Sequence, residues 1–162
     1  MFFVLSLISQ LVFAASPIPG NCNYYLEKEK DTGCFVKEQN PSDYLLNFGY
    51  RLCHIYHQKA KTWNDERTAF VEKVGMCLQE EMEKILFNGN CQDLEEKAYA
   101  SHPGCYIRSG YCELNVVQKS SIVWTAVAAD ALSKTGNKSA YYWFQLLRDC
   151  NGKSTSVADQ LP

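Results

Sequence analysis

Eight cysteines constrain this chain more than anything else in it, and four of them fall at positions 77, 91, 105 and 112. The gaps are 14, 14 and 7, all multiples of the heptad. On an unbroken helix these thiols would line one stripe. Asn88-Gly89-Asn90 and His102-Pro103-Gly104 interrupt the stretch with residues that favour turns. The spacing therefore predicts helix, turn, helix, turn, with thiols placed to tie neighbouring helices together. Chemistry of this kind is structural and does not specify a reaction.

An even cysteine count means disulfides first if the chain is exported. Phe2 to Phe13 is apolar except for Ser6, Ser9 and Gln10, and Val12-Phe13-Ala14-Ala15-Ser16 offers small residues for cleavage. The pattern is that of a signal peptide, although no Lys or Arg precedes the apolar run. The run falls short of the roughly 20 residues that a spanning helix needs. We therefore expect residues 1–15 to be a signal peptide and the protein to be secreted, without membrane insertion. Residues 16–152 are expected to form one disulfide-stabilised helical domain, and 153–162 a polar, disordered tail. The formal charge of −2 is spread with both signs mixed, and no basic block points to nucleic acid or a membrane surface. Zinc sites favour close pairs such as C-x2-C, whereas no two cysteines here are closer than seven residues. No metal is assigned.

Apolar periodicity fills in the helices. Ser42 can cap a helix in which Leu45, Gly49, Leu52, Cys53, Tyr56 and Ala60 recur at helical spacing. Gly49 weakens that helix, and a close neighbouring backbone would explain it. Asn64 or Asp65 caps the next, whose buried stripe is Phe70, Val74, Cys77, Leu78, Met82 and Ile85. Asp93 to Ser101 is a shorter helix with Leu94 and Ala98 inward, stopped by Pro103-Gly104. The apolar run from Val116 to Leu132 reads as a helix from Ser120, its β-branched start leaving room for a strand. Thr135-Gly136-Asn137 is a turn, and Ser139 opens a last helix closed by Asn151-Gly152. The fold class is all-α, a disulfide-stapled bundle of about five helices.

No motif gathers catalytic groups. His54 and His57 sit three apart on one helix face, but no third metal ligand stands at helical spacing. Glu80, Glu81 and Glu83 read as the wet face of a helix, because a calcium loop needs oxygen ligands alternating through a turn. Neither a Gly-x-Ser-x-Gly elbow nor a Gly-rich phosphate loop is present. No catalytic residue and no cofactor is assigned, and the chain is read as a non-enzyme. Asn137-Lys138-Ser139 is an N-glycosylation sequon.

Read together, the cysteines and their neighbours resemble the stanniocalcin family. The shared features are Tyr50-Arg51-Leu52-Cys53, Trp63 ten residues on, Ala69-Phe70-Val71 and Cys77-Leu78. The steps from Cys91 to Cys105-Tyr106 and from Cys105 to Cys112 also fit. So does an aromatic-rich closing helix from Tyr141-Tyr142 through Leu147 to Cys150. The resemblance implies the pairs Cys22–Cys53, Cys34–Cys91, Cys77–Cys105 and Cys112–Cys150. A nearest-neighbour pattern, with Cys77 to Cys91 and Cys105 to Cys112, is the rival that spacing leaves open. The resemblance further implies a secreted glycoprotein hormone or regulator that binds an extracellular receptor or protease, in a family that acts in calcium and phosphate homeostasis. A secreted effector, toxin or binding protein on the same scaffold is the alternative, and a small secreted hydrolase a more distant one. All eight cysteines can pair within one chain, so no covalent dimer is expected. A non-covalent dimer stays open.

Overall fold

The computed structural model describes residues 16–34, 44–87, 91–130 and 136–158. Among the described residues six α-helices follow one another: α1 (Asn23–Thr32), α2 (Arg51–Ala60), α3 (Asp65–Phe87), α4 (Leu94–Arg108), α5 (Val116–Asp130) and α6 (Gly136–Ala158). A π-helical stretch, Tyr44–Tyr50, runs straight into α2, and a 3-10 turn, Tyr111–Glu113, precedes α5. No strand occurs among the described residues, so the chain is all-α. Nor is any described helix long and apolar enough to cross a membrane. The segment 1–15 expected to be a signal peptide, the expected Ser42 cap, the expected Asn88-Gly89-Asn90 turn and Thr135 lie outside the described residues.

The central element is α4, packed against α3 on one side and α6 on the other. Its predicted stop at Pro103 does not occur: the helix continues to Arg108 with Pro103 buried inside it. Proline removes one ladder bond and costs an isolated helix about 3 kcal/mol. Tertiary contacts offset that here. Ser101 Oγ and His102 Nδ1 both donate to the Ala98 carbonyl, at 2.7 and 2.8 Å. With Nδ1 as donor, His102 Nε2 accepts from the Tyr44 hydroxyl at 3.4 Å. Tyr99 stacks on Tyr142 of α6 with centroids 6.0 Å apart, and Tyr106 meets Trp143 edge-on at 5.1 Å. Two residues beyond the proline, Cys105 is bonded to α3. The segment is held on both sides whatever its propensity.

The predicted stripe of α3 is largely where it should be. Phe70, Val74 and Met82 are buried, and Cys77, Leu78 and Ile85 pack half-buried against the core. Asn64 Oδ1 accepts the Arg67 backbone N–H at 3.3 Å, as a helix cap does. In the π-helical stretch and α2, Leu45, Gly49, Leu52 and Tyr56 are all buried as expected. The surprise there is what Gly49 accommodates. A Cβ on it would lie 2.6 Å from Cδ1 of the Tyr25 ring, so the close neighbour is a buried side chain and not a backbone.

Further differences concern helix ends. Helix α5 starts at Val116, four residues before the predicted Ser120. A reciprocal capping box accounts for it: Asn115 N–H donates to Gln118 Oε1 at 2.9 Å, and Gln118 N–H to Asn115 Oδ1 at 3.0 Å. Helix α6 begins at Gly136 where a turn was expected, and runs past Asn151-Gly152 to Ala158, into the predicted tail.

Four disulfides staple the bundle: Cys22–Cys53, Cys34–Cys91, Cys77–Cys105 and Cys112–Cys150. Their Cα separations of 5.3–5.6 Å fall in the ordinary range. These are the four pairs that the resemblance implies, and the nearest-neighbour pattern is not formed. Tyrosine dominates the interior: Tyr24, Tyr25, Tyr44, Tyr56, Tyr99, Tyr106 and Tyr111 are all buried. Burial pushes the hydroxyls of Tyr106 and Tyr111 up to about 12, and those of Tyr44 and Tyr56 well above the usual 10. Tyr25 rises for the same reason, and Tyr24 through burial first and then its bond to Glu83.

Candidate functional site

The acidic run on α3 is put to structural use. Of the three carboxylates expected on a wet face, Glu80 alone is fully exposed. Glu81 pairs with Lys84 and with Arg108 of α4, both at 3.0 Å. Glu83 accepts from the Tyr24 hydroxyl at 2.7 Å and holds the buried Lys28 at 2.8 Å, which docks α1 on α3. Gln79 sits between them, almost fully buried. Its Oε1 accepts from Ile18 N–H and its Nε2 donates to the Asn21 carbonyl, clasping the lead-in before α1. Sequence reading missed Gln79 because its only signal is a polar residue on an otherwise apolar edge.

The histidines are dispersed. His54 is exposed and stacks edge-on against Tyr50, with centroids 4.5 Å apart. His57 packs under Gly20, and His102 is bound into α4. Two three-ligand groupings come within coordinating distance of each other: Cys22, Cys53 and His57, and Cys77, Glu81 and Cys105. In each, both sulfurs are spent in a disulfide, which removes the thiolates a soft metal would need. Arg108 covers the second grouping, its Nη2 3.0 Å from Cys77 Sγ. Asn137 of the sequon falls in the first turn of α6, and its side chain lies outside the described residues.

Two pockets within the bundle are small, about 40 and about 20 Å³, room for little more than a water. The larger concavity is a groove of about 450 Å³ on the surface, between α2 and α5. Helical geometry builds it. Arg51, Ile55 and Lys59 recur every four residues along one wall, and Ser121, Thr125 and Ala128 form the other. The second row is made of small residues, so the groove has depth. Trp63, in the turn after α2, and Trp124 of α5 supply its aromatic surface. Arg67 lies over the Trp63 ring, 5.3 Å from its centroid, while Trp124 is 70% exposed.

Large apolar side chains are also exposed on the last two helices. Val116, Val117 and Val127 of α5, with Tyr141, Phe144 and Leu147 of α6, are all exposed although large and apolar. Single exposed apolar side chains are ordinary, but this many on two packed helices make a surface suited to contact. The site offers rings, hydroxyls and cations: it can hold a partner. The sequence singled out Trp63 only as part of a resemblance and Trp124 only as part of an apolar run.

No family model, no curated protein and no solved structure matches the chain. The resemblance to stanniocalcins rests on the residues quoted for it.

Proposed function

We propose that this protein is a secreted, stanniocalcin-like regulator that acts outside the cell by binding a protein partner. The observation that carries the reading is the open groove between α2 and α5, with large apolar side chains also exposed on α5 and α6, on a bundle clamped by four disulfides. A preorganised surface binds with little ordering cost. Disulfides persist in oxidising compartments, which supports export after removal of residues 1–15. Glycosylation at Asn137 belongs to the same reading, as does a role in mineral balance, which follows from the resemblance alone. An effector or toxin would use the same surface on a different partner.

Expression in secretory cells tests the proposal. The oxidised chain should reach the medium, glycosylated at Asn137, and chemical cross-linking there should join it to a discrete partner. The double variant Trp124→Asp with Phe144→Asp should be secreted equally and lose that partner. Retention inside the cell in reduced form, or a partner that is indifferent to both substitutions, would overturn it.

A further inference from the structure

The groove has a charge pattern that composition hides. The chain as a whole is formally acidic, at −2. Yet residues 44–64, which include α2, carry Arg51, Lys59 and Lys61 and no Asp or Glu. Residues 114–129, which cover α5 up to its last residue, carry Lys119 and again no carboxylate. None of the residues lining the groove is acidic, and two, Arg51 and Lys59, are cations. The carboxylates that bound these stretches in sequence are Asp43, Asp65 and Glu66 at the start of α3, Glu113 before α5 and Asp130 at its end, and Glu66 is bonded to Gln118 Nε2 at 2.6 Å.

Shape adds a second constraint. From Arg51 to Lys59 is eight residues of helix, about 12 Å of groove at 1.5 Å per residue. That length fits about two turns of helix or about four residues of extended chain. The interior is apolar or small: Ile55, Ala128, Ala129 and the two tryptophans. A sulfated polysaccharide would satisfy the cations but bring nothing apolar for the tryptophans to cover. A peptide with one large side chain and flanking carboxylates satisfies both.

We propose that the groove between α2 and α5 is a docking site for a short acidic peptide segment with an aromatic or large aliphatic anchor. The anchor packs on Trp63 and Trp124, and flanking carboxylates pair with Arg51 and Lys59. The groove binds as helix-in-groove and motif sites do, with a few anchors giving affinity and charge giving register. This proposal rests on the partner-binding reading above and names the chemistry of the partner.

The test uses the full oxidised chain and a random dodecapeptide library displayed on phage. Enriched sequences should carry Asp or Glu on either side of a Trp, Phe or Leu. The synthesised consensus should lose roughly tenfold or more in affinity with Trp124→Ala, the usual effect of removing a central anchor. Arg51→Glu with Lys59→Glu should abolish binding, and added salt should weaken it for the unaltered protein. Trp124, Arg51 and Lys59 are not core residues, and circular dichroism with a non-reducing mass check confirms that each variant is folded. Neutral or basic consensus sequences, or binding that survives both variants, would overturn the proposal. So would competition by heparin without any peptide enrichment, or a self-associated dimer in sedimentation that Trp124→Ala dissolves. A partner captured from medium that ignores Arg51→Glu/Lys59→Glu refutes this docking site while leaving partner binding intact. An acidic peptide bound here with no partner in the medium does the reverse.

Discussion

Raising the pH should unfold this protein abruptly, because its interior is lined with tyrosines that ionise only when exposed. Six of them, Tyr24, Tyr25, Tyr44, Tyr56, Tyr106 and Tyr111, have hydroxyls pushed above the ordinary value of 10. In each case burial is the main cause, since a phenolate would sit among apolar neighbours. The sign follows from linkage. Below pH 10 both folded and unfolded chains keep these protons, and stability does not depend on them. Above it the unfolded chain releases protons that the folded chain retains, so stability falls as pH rises. Tyr106 and Tyr111, raised to about 12, should each remove roughly 2 kcal/mol by the time that pH is reached. All six acting together give a slope of up to about 8 kcal/mol per pH unit. A domain of this size holds roughly 5–15 kcal/mol, so the transition should fall roughly one to two units above pH 10. The assay is a rapid pH jump on the oxidised protein, following tyrosinate absorbance and near-ultraviolet dichroism together. The two signals should change cooperatively and at the same pH. Smooth titration of these tyrosines near pH 10 with the dichroism unchanged would refute the reasoning, because it would mean that the rings are open to water.

Three other perturbations have defined outcomes. Replacing Cys112 and Cys150 together by serine opens a link with a sequence separation of 38, and thermal or denaturant unfolding should show a loss of roughly 4 kcal/mol. Gly49→Ala drives a methyl into the Tyr25 ring and should cost about 1–3 kcal/mol in denaturant unfolding, although alanine is the better helix former; unchanged stability would mean that the ring can move. Glu83→Ala leaves Lys28 buried without its carboxylate and frees the Tyr24 hydroxyl. Because Glu83 is itself 37% exposed, the expected loss is roughly 2–3 kcal/mol, less than for a fully buried pair, and hydrogen exchange should show α1 opening first.

What could be read in advance depended on how local its cause was. The stripe Phe70, Val74, Met82 and the inward positions Leu45, Leu52 and Tyr56 follow from helical repeat alone, and the structure buries them. The stop at Pro103 was a sound local inference that tertiary contacts overrode: stacking on Tyr142 and the bond from Cys105 to Cys77 come from chain far away. The early start of α5 was legible in Asn115-x-x-Gln118, a capping box that the apolar run beside it obscured. Glu83 and Gln79 gave no such sign, since a residue on a helix edge is polar whether it meets water or a lysine. The groove was not legible for the same reason. Trp63 and Trp124 line one groove only because α2 and α5 pack together, and no spacing along the chain encodes that packing.

The order in which the disulfides enclose one another divides the molecule in a way its helices do not. The loop closed by Cys22 and Cys53 overlaps that of Cys34 and Cys91, which in turn overlaps that of Cys77 and Cys105. These three loops overlap in series and link α1 to α4 through one continuous set of bridges. Cys112 and Cys150 enclose α5 and most of α6 by themselves. In an oxidising compartment a chain emerging from its N-terminus can complete the overlapping set before Cys150 appears. The last two helices then close through their own bridge and pack on α4 and α2, carrying Trp124 with them. Under mild reductant that segment has no second bridge, so the proposed binding face depends on one disulfide while α1 to α4 share three.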